Sequence, residues 1–597
     1  MNTTTSEKLK LLRKYMSAQN IAAVIIPSND PHFSEYVADR WKTREWISGF
    51  TGSAGTVVIT ADKAALWTDS RYFIQAEEQL KGSGIVLKKL KVEGTESIED
   101  WIKQQLPSRA RIAIDKDLYS VAEFEQLKKS LAPLCPIAYD DFFDEIWKER
   151  PGLPSEKTFV LSHELTGEAT SSKLTRLREI LSKQSNSYIY LVTLLDEIAW
   201  LYNIRGNDIS YNPLTLAYAL VTPSQAYLFM NPDKFSHQDK VALESEGVTI
   251  CGYGKLQKAA DSFQKERFCI FNPKKMSVGT FRILEEIGFD LITETDFNGT
   301  IASLKSLKND TEQQGFRKAM IDDGIALVRF QRWLEEEIKN EKVTELSASA
   351  RLFEFRSQNK SFMGNSFGSI MGYKEHGAIV HYSASKESDA TIKPEGFLLF
   401  DTGGQYRYGT TDVTRTVHLG QPGEQEKEDY TLVLKGMIAL SMAKFPAGTR
   451  GAQLDVLARQ YLWSKGKNYL HGTGHGIGHF LNVHEGPQSI RMEENPVTLK
   501  PGMITSNEPG IYVEGRYGIR IENLILCMHE ELEASSTFLG FETLTLAPID
   551  LKPINKAMLI PAEVEWLNSY HNMVFERISP HLNEDESEWL KEKTKAI

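Results

Sequence analysis

Seven of the thirteen histidines lie between His376 and His484, and four of them fall within His471-Gly-Thr-Gly-His-Gly-Ile-Gly-His-Phe-Leu-Asn-Val-His484. Imidazoles this dense hold metals, move protons or meet developing charge. The glycines do not complete a dinucleotide fingerprint, because Ile477 stands where the third glycine belongs, and no P-loop lysine follows, which argues against a phosphate cradle. His471 and His475 have the i, i+4 spacing of a zincin, but Gly-Thr-Gly replaces the glutamate-bearing helix that would put both rings on one face. A tight glycine backbone that brings several imidazoles to a ligand fits better.

Carboxylates are the natural partners. Phe397-Leu-Leu-Phe-Asp-Thr-Gly-Gly404 reads as an apolar strand ending on Asp401, and Gly409-Thr-Thr-Asp-Val-Thr-Arg-Thr-Val417 resumes a strand with Asp412, Thr414 and Thr416 on one face. Met503-Ile-Thr-Ser-Asn-Glu-Pro-Gly510 sets Glu508 at a strand end. Tyr517-Gly-Ile-Arg-Ile-Glu-Asn-Leu524 puts Arg520 and Glu522 opposite Ile519 and Ile521. Facing acids are costly unless a cation or a shared proton intervenes, although Arg520 could satisfy Glu522 on its own. Two Asp, two Glu and one His can ligate a pair of divalent cations with a hydroxide bridging them as nucleophile, which makes a two-metal hydrolase the economical reading. An oxygen-rich set with one imidazole suits manganese, cobalt, iron or zinc.

The rest of the 597 residues must position these groups. With 25% charged and 41% apolar residues the chain is globular rather than disordered, and a net charge of −11 without a basic stripe argues against general nucleic-acid binding. Cys135, Cys251, Cys269 and Cys527 form neither CxxC pairs nor a disulfide ladder, and read as inert thiols in a reducing compartment. Apolar runs such as Ile21–Ile26 are far short of the ~20 residues that span a bilayer, and no signal-peptide core is evident. A soluble, cytoplasmic protein is expected. The amino terminus reads as a capped amphipathic helix with Leu9, Leu11, Leu12 and Tyr15 on its apolar side.

Val57–Trp67 and Ala219–Phe229 share a strand–turn–strand pattern in which Thr60, Ala64 and Leu66 match Thr222, Ala226 and Leu228, the sign of a repeated domain. Glu149–Ser155 between them is a Pro/Gly-rich linker. Asn309, Asp310 and Glu312 open a long helical pattern through Met320, Ile325, Val328, Phe330 and Trp333, and a charged helix is expected over Glu584–Lys595. The expected division is 1–153, 154–305 and 306–597, the last including an extension from about 535.

In order and context, Asp401, Asp412, His475, Glu508 and Glu522 resemble the ligands of the pita-bread metallopeptidases, a family that includes methionine aminopeptidase, prolidase and aminopeptidase P. His381 in Gly377-Ala-Ile-Val-His-Tyr382, the His471 segment, Phe480-Leu-Asn-Val-His-Glu-Gly-Pro487 and Trp46-Ile-Ser-Gly-Phe-Thr-Gly-Ser-Ala-Gly55 look specifically like the long, three-domain aminopeptidase P type. The resemblance implies an α/β (α+β) chain, with two creatinase-like amino-terminal domains before a pita-bread catalytic domain. It implies two divalent ions, manganese first with zinc or cobalt as alternatives, and removal of an N-terminal residue that precedes proline. Asp412 and Glu522 would bridge the metals, Glu508 would also act as general base, and Arg520 would brace the bridging acids. His381 and His484 would hold substrate and stabilise the tetrahedral intermediate, and His471 would line the proline side. His376 and His479 fall outside the carried-over set. The partners implied are peptides with a penultimate proline and a second copy of the chain, with no nucleic acid and no membrane. The alternatives are a prolidase acting on Xaa-Pro dipeptides and a metal-free binding module, which would have lost ligands that this chain retains.

Overall fold

A computed structural model describes residues 4–263, 265–296, 298–340, 342–531 and 537–597. The chain separates into two compact units, one of 1–161 with 168–301 and one of 162–167 with 302–597.

The first unit holds two six-stranded sheets of one design. In the first, the strands run Val86–Lys89, Ala64–Thr68, Thr56–Thr60, Ala23–Ile26, Arg111–Asp115, Cys135–Tyr139. In the second they run Val248–Cys251, Ala226–Phe229, Tyr218–Val221, Tyr188–Val192, Phe268–Phe271, Asp290–Thr293. Parallel and antiparallel pairings follow in the same sequence across both. The sequence repeat is the hairpin at equal depth in each: Lys63 N–H donates to Thr60 Oγ1 at 3.0 Å, and Gln225 N–H to Thr222 Oγ1 at 2.9 Å. The sheets meet reciprocally, with Val121 N–H on Met276 O and Val278 N–H on Tyr119 O, both at 3.0 Å. Ala122 N–H on Pro273 O and Gly279 N–H on Lys116 O repeat the exchange, which is the mark of a local two-fold contact.

The helix Thr5–Ala18 is closed by a Thr4/Glu7 capping box and buries Leu9, Leu12 and Met16. Leu11, expected inside, is 43% exposed, because positions 9, 12 and 16 already fill the inward stripe. Residues 151–157 have no regular structure, as a linker requires.

In the second unit, Asn309 and Glu312 form a capping box that starts the 28-residue helix Asp310–Glu337. Phe397–Thr402 lies between Ile370–Tyr373 and Val413–His418, antiparallel to both. A larger sheet runs Phe445–Pro446, Phe538–Thr543, Asn523–Glu530, Ile504–Asn507, Gly474–Gly476, Glu485–Ile490. The strand Phe538–Thr543, at the start of the expected extension, pairs with Asn523–Glu530 in this sheet, and the last helix spans Glu584–Lys593. Among the described residues no helix is long and apolar enough to cross a membrane, and the four cysteines are free thiols.

Candidate metal centre

Asp401 pairs with Thr414 in the antiparallel register of Phe397–Thr402 and Val413–His418, and Asp412 immediately precedes the second strand. Both carboxylates therefore leave the same end of one strand pair. His475 is the middle residue of Gly474–Gly476, and the glycines beside it are steric necessities: a Cβ on Gly474 would lie 2.0 Å from Ser506 O, and one on Gly476 would lie 2.3 Å from Glu485 O. Glu508 follows Ile504–Asn507, and its N–H is held by Thr473 O at 2.8 Å. Glu522 stands in the two-residue break between Tyr517–Arg520 and Asn523–Glu530.

These side chains converge. His475 Nε2 is 3.4 Å from Asp412 Oδ2 and 3.5 Å from Glu508 Oε1. One ligand atom each from Asp412, His475 and Glu522 lie within 4.8 Å of one another. His475 Nδ1 is 3.0 Å from Gly476 O, which assigns a proton to Nδ1 and turns Nε2 toward the acids. Asp401 Oδ2 accepts from Arg520 at 2.6 Å, while its Oδ1 is buried without a hydrogen-bond partner.

The electrostatics agree. Burial pushes the Asp401 carboxyl up against the opposing Arg520 charge, and burial with Asp412 and Asp401 nearby holds Glu522 well above the carboxylate range. Glu508 is raised to about 7, chiefly by burial. Burial opposes the charged form of His475, but the Asp412 hydrogen bond and the Glu508 charge outweigh it and raise the ring to about 9. A buried excess of acid, an orphaned carboxylate oxygen and an imidazole nitrogen aimed at the acids fit divalent cations.

Arg520, buried, departs from the expected role. Its guanidinium reaches Asp401, Thr414 Oγ1 at 3.0 Å and the Tyr512 hydroxyl at 2.6 Å. Glu522 Oε2 instead accepts from Thr414 Oγ1 at 2.9 Å. Strand alternation places Arg520 and Glu522 on one face, but the break at Ile521 lets the arginine span to the neighbouring sheet.

His484 packs edge-on against His475 with ring centroids 4.3 Å apart. His471 Nε2 is 2.8 Å from the Tyr512 hydroxyl, and its Nδ1 lies 3.9 Å from Glu508 Oε2. His381 is half-buried on the turn after the short helix Lys374–Ala378. That segment is fastened by buried Glu345, which accepts from Tyr373 N–H at 2.8 Å, the Tyr382 hydroxyl at 2.8 Å and Ala390 N–H at 3.2 Å. His376 also bonds Glu345, at 2.8 Å, and stacks on Tyr382. His479 is buried 3.9 Å from Glu312 and beside Phe316. Sequence reasoning missed Tyr512 and Glu345, and placed Thr414 on the Asp412 face without its bonds to Glu522 and Arg520. Tyr512 follows Glu508 by four residues on the next strand, a signal that was readable; Glu345 carries none.

Known proteins match this architecture throughout. The sequence profile of metallopeptidase family M24 matches residues 314–529, that of its C-terminal region matches 537–597, and the creatinase/prolidase N-terminal domain matches both 8–146 and 149–312. The probable Xaa-Pro aminopeptidase P of Paracoccidioides brasiliensis (strain Pb03) is 40% identical over 99% of each chain. Aminopeptidase P2 of Arabidopsis thaliana is 40% identical over 99% of this chain and 88% of its own. A crystal structure of X-prolyl aminopeptidase from Caenorhabditis elegans, described as a cytosolic enzyme with a di-nuclear active site, superposes with a TM-score of 0.93 at 35% identity over the whole of both chains. The chain belongs to metallopeptidase family M24 and, within it, to the Xaa-Pro aminopeptidase P proteins.

Proposed function

We propose that the chain is a metal-dependent aminopeptidase that hydrolyses the bond between an N-terminal residue and a penultimate proline. The observation that carries this is the convergence of Asp412, His475 and Glu522, with Asp401 and Glu508 beside them, in a chain 40% identical to aminopeptidase P relatives. Asp401, Asp412, His475, Glu508 and Glu522 would hold two divalent ions, and the oxygen-rich set supports manganese ahead of zinc or cobalt. When bound, such ions polarise a carbonyl and lower the pKa of water.

The chain's own groups do the remainder. Glu508 takes the proton of the attacking water on its carboxylate. His484 and His381 donate to the oxyanion as it forms at the scissile carbonyl. His471, steadied by Tyr512, faces the proline side. An Xaa-Pro bond has no amide N–H, and a site that asks for none is suited to it. We also propose a cytoplasmic homodimer divided as 1–153, 154–305 and 306–597; the two matched sheets support the first two divisions, and the description of the worm enzyme as cytosolic supports the location.

The test is a comparison of Xaa-Pro-Yaa tripeptides with Xaa-Pro dipeptides on Mn²⁺-loaded protein. Faster release of the first residue from the tripeptide is expected. Preference for the dipeptide would make the protein a prolidase, and no hydrolysis of either by metal-loaded protein would sink the reading.

A further inference from the structure

Away from the acids and histidines above, the second unit holds a cavity of about 630 Å³, within the range of small-molecule sites. None of the nine residues assigned to the metal centre or its substrate side lines it. Its walls come from the end of the helix Asp310–Glu337 and the turn after it, the end of the strand Val413–His418, the segment 548–552 and the carboxyl-terminal helix. Leu334, Ile338, Leu419, Ile549 and Trp589 give it an apolar body.

Its polar groups are unevenly matched. Five lysines line it (Lys339, Lys552, Lys556, Lys593 and Lys595) against Glu335, Asp550 and Glu592. Lys593 pairs with Glu335, and Lys595 with Glu592. Lys552 is held by His418 O at 2.6 Å, and Asp550 is occupied by the N–H groups of His418 and Lys552. Lys339 and Lys556 face no carboxylate within ion-pair distance among the described residues. A second observation points the same way: Gln331, only 7% exposed, lines the cavity with its Nε2 buried and unpartnered. A buried amide donor without an acceptor is unfavourable, and a ligand oxygen would satisfy it.

We propose that this cavity is a second binding site, for a small amphiphilic anion whose apolar chain lies against Leu334, Ile338 and Trp589. Its charged head meets Lys339, Lys556 and the Gln331 amide. A carboxylate and a phosphate monoester share this chemistry. A cation of the same chain length meets repulsion from Lys339 and Lys556 and would have to compete with the partners that Glu335, Asp550 and Glu592 already hold.

The test is calorimetric titration of the full-length, Mn²⁺-loaded protein with octanoate, octyl phosphate and octylamine. Saturable binding of octanoate or octyl phosphate is expected, the tighter of the two naming the head group, with none for octylamine. The double variant Lys339→Glu/Lys556→Glu, at exposed positions, should weaken that binding at least about tenfold while leaving kcat and KM for an Xaa-Pro-Yaa peptide unchanged. Gln331→Leu should weaken it less. Absence of saturable binding, equal binding by the double variant, equal binding of octylamine, or competition with the peptide substrate would each overturn the proposal.

Discussion

Asp115 and Asn272 stand at equivalent places in the two amino-terminal sheets, each two residues past the equivalent register positions Ala113 and Ile270. Each side-chain oxygen takes the N–H two residues on, Asp117 at 2.9 Å and Lys274 at 3.0 Å. The turn asks for an acceptor and is indifferent to its charge. The catalytic unit is the opposite case. Its four acids, the proposed metal ligands, would lose what they do together if exchanged for amides, because that proposed function needs the charge that burial makes expensive. One region uses a carboxylate as a shape; the other uses it as a charge.

The contrast can be broken or sharpened experimentally. Asp412→Ala should lower kcat/KM by about 10³ or more and reduce bound metal, measured by steady-state kinetics and elemental analysis. The far-UV signature and the melting of the amino-terminal unit should not move. Stripping metal with a chelator should reproduce that loss in the unaltered protein, with recovery on adding Mn²⁺.

Arg415→Met comes next. The buried Arg415 guanidinium serves the carbonyls of Thr414, Glu522, Ala547 and Pro548, the Asn523 side chain and the Tyr570 hydroxyl. Stranding these acceptors should cost the catalytic unit about 3 kcal/mol in chemical denaturation. The amino-terminal unit should be unaffected.

The two units should also answer pH with opposite signs. Burial lowers His571 to about 3, and its Nε2 accepts from Ile549 N–H at 3.1 Å, so the native ring stays neutral. Below the unfolded value near 6.5 only the unfolded chain takes the proton, and stability falls as pH drops, by about 2 kcal/mol from pH 7 to 5. Burial, with Asp141 adding repulsion, raises Asp115 to about 8. There the native state binds the proton first, so stability grows by about 3 kcal/mol over the same interval and is lost as pH rises through 8. Asp115→Asn should flatten that slope and raise the melting temperature at pH 8; His571→Gln should flatten the other. The smallest effect tests the repeat itself. Thr60→Val and Thr222→Val should each cost about 1 kcal/mol, and unequal costs would show that the two hairpins are not energetically equivalent.

Much of this was legible in the residues. The Thr60/Thr222 correspondence, the capping box at Asn309 and Glu312, and the four acids and imidazole are local patterns, and local patterns survive without knowledge of the fold. What escaped was the identity of partners across long separations. Alternation put Arg520 and Glu522 on one face but could not say that the guanidinium bonds Asp401, 119 residues earlier. Nothing near Glu345 announces that it fastens the segment bearing His381. Periodicity likewise offered Leu11 as core, because a helix stripe has a width and only packing decides where it ends.

The reach of Arg415 has a consequence for the order in which this protein can be made. Its contacts extend 155 residues along the chain, to Tyr570. Two of them, on Thr414 and Glu522, hold backbone beside the proposed ligands. On a ribosome that emits the chain from its amino terminus, both six-stranded sheets can close while the catalytic half is still unfinished. The strand that carries Thr414 cannot find its last partner until the helix Pro561–Ile578 has emerged. The site would therefore be completed only after Tyr570 is free of the ribosome, so a chain stopped short of that residue would carry no assembled peptidase centre.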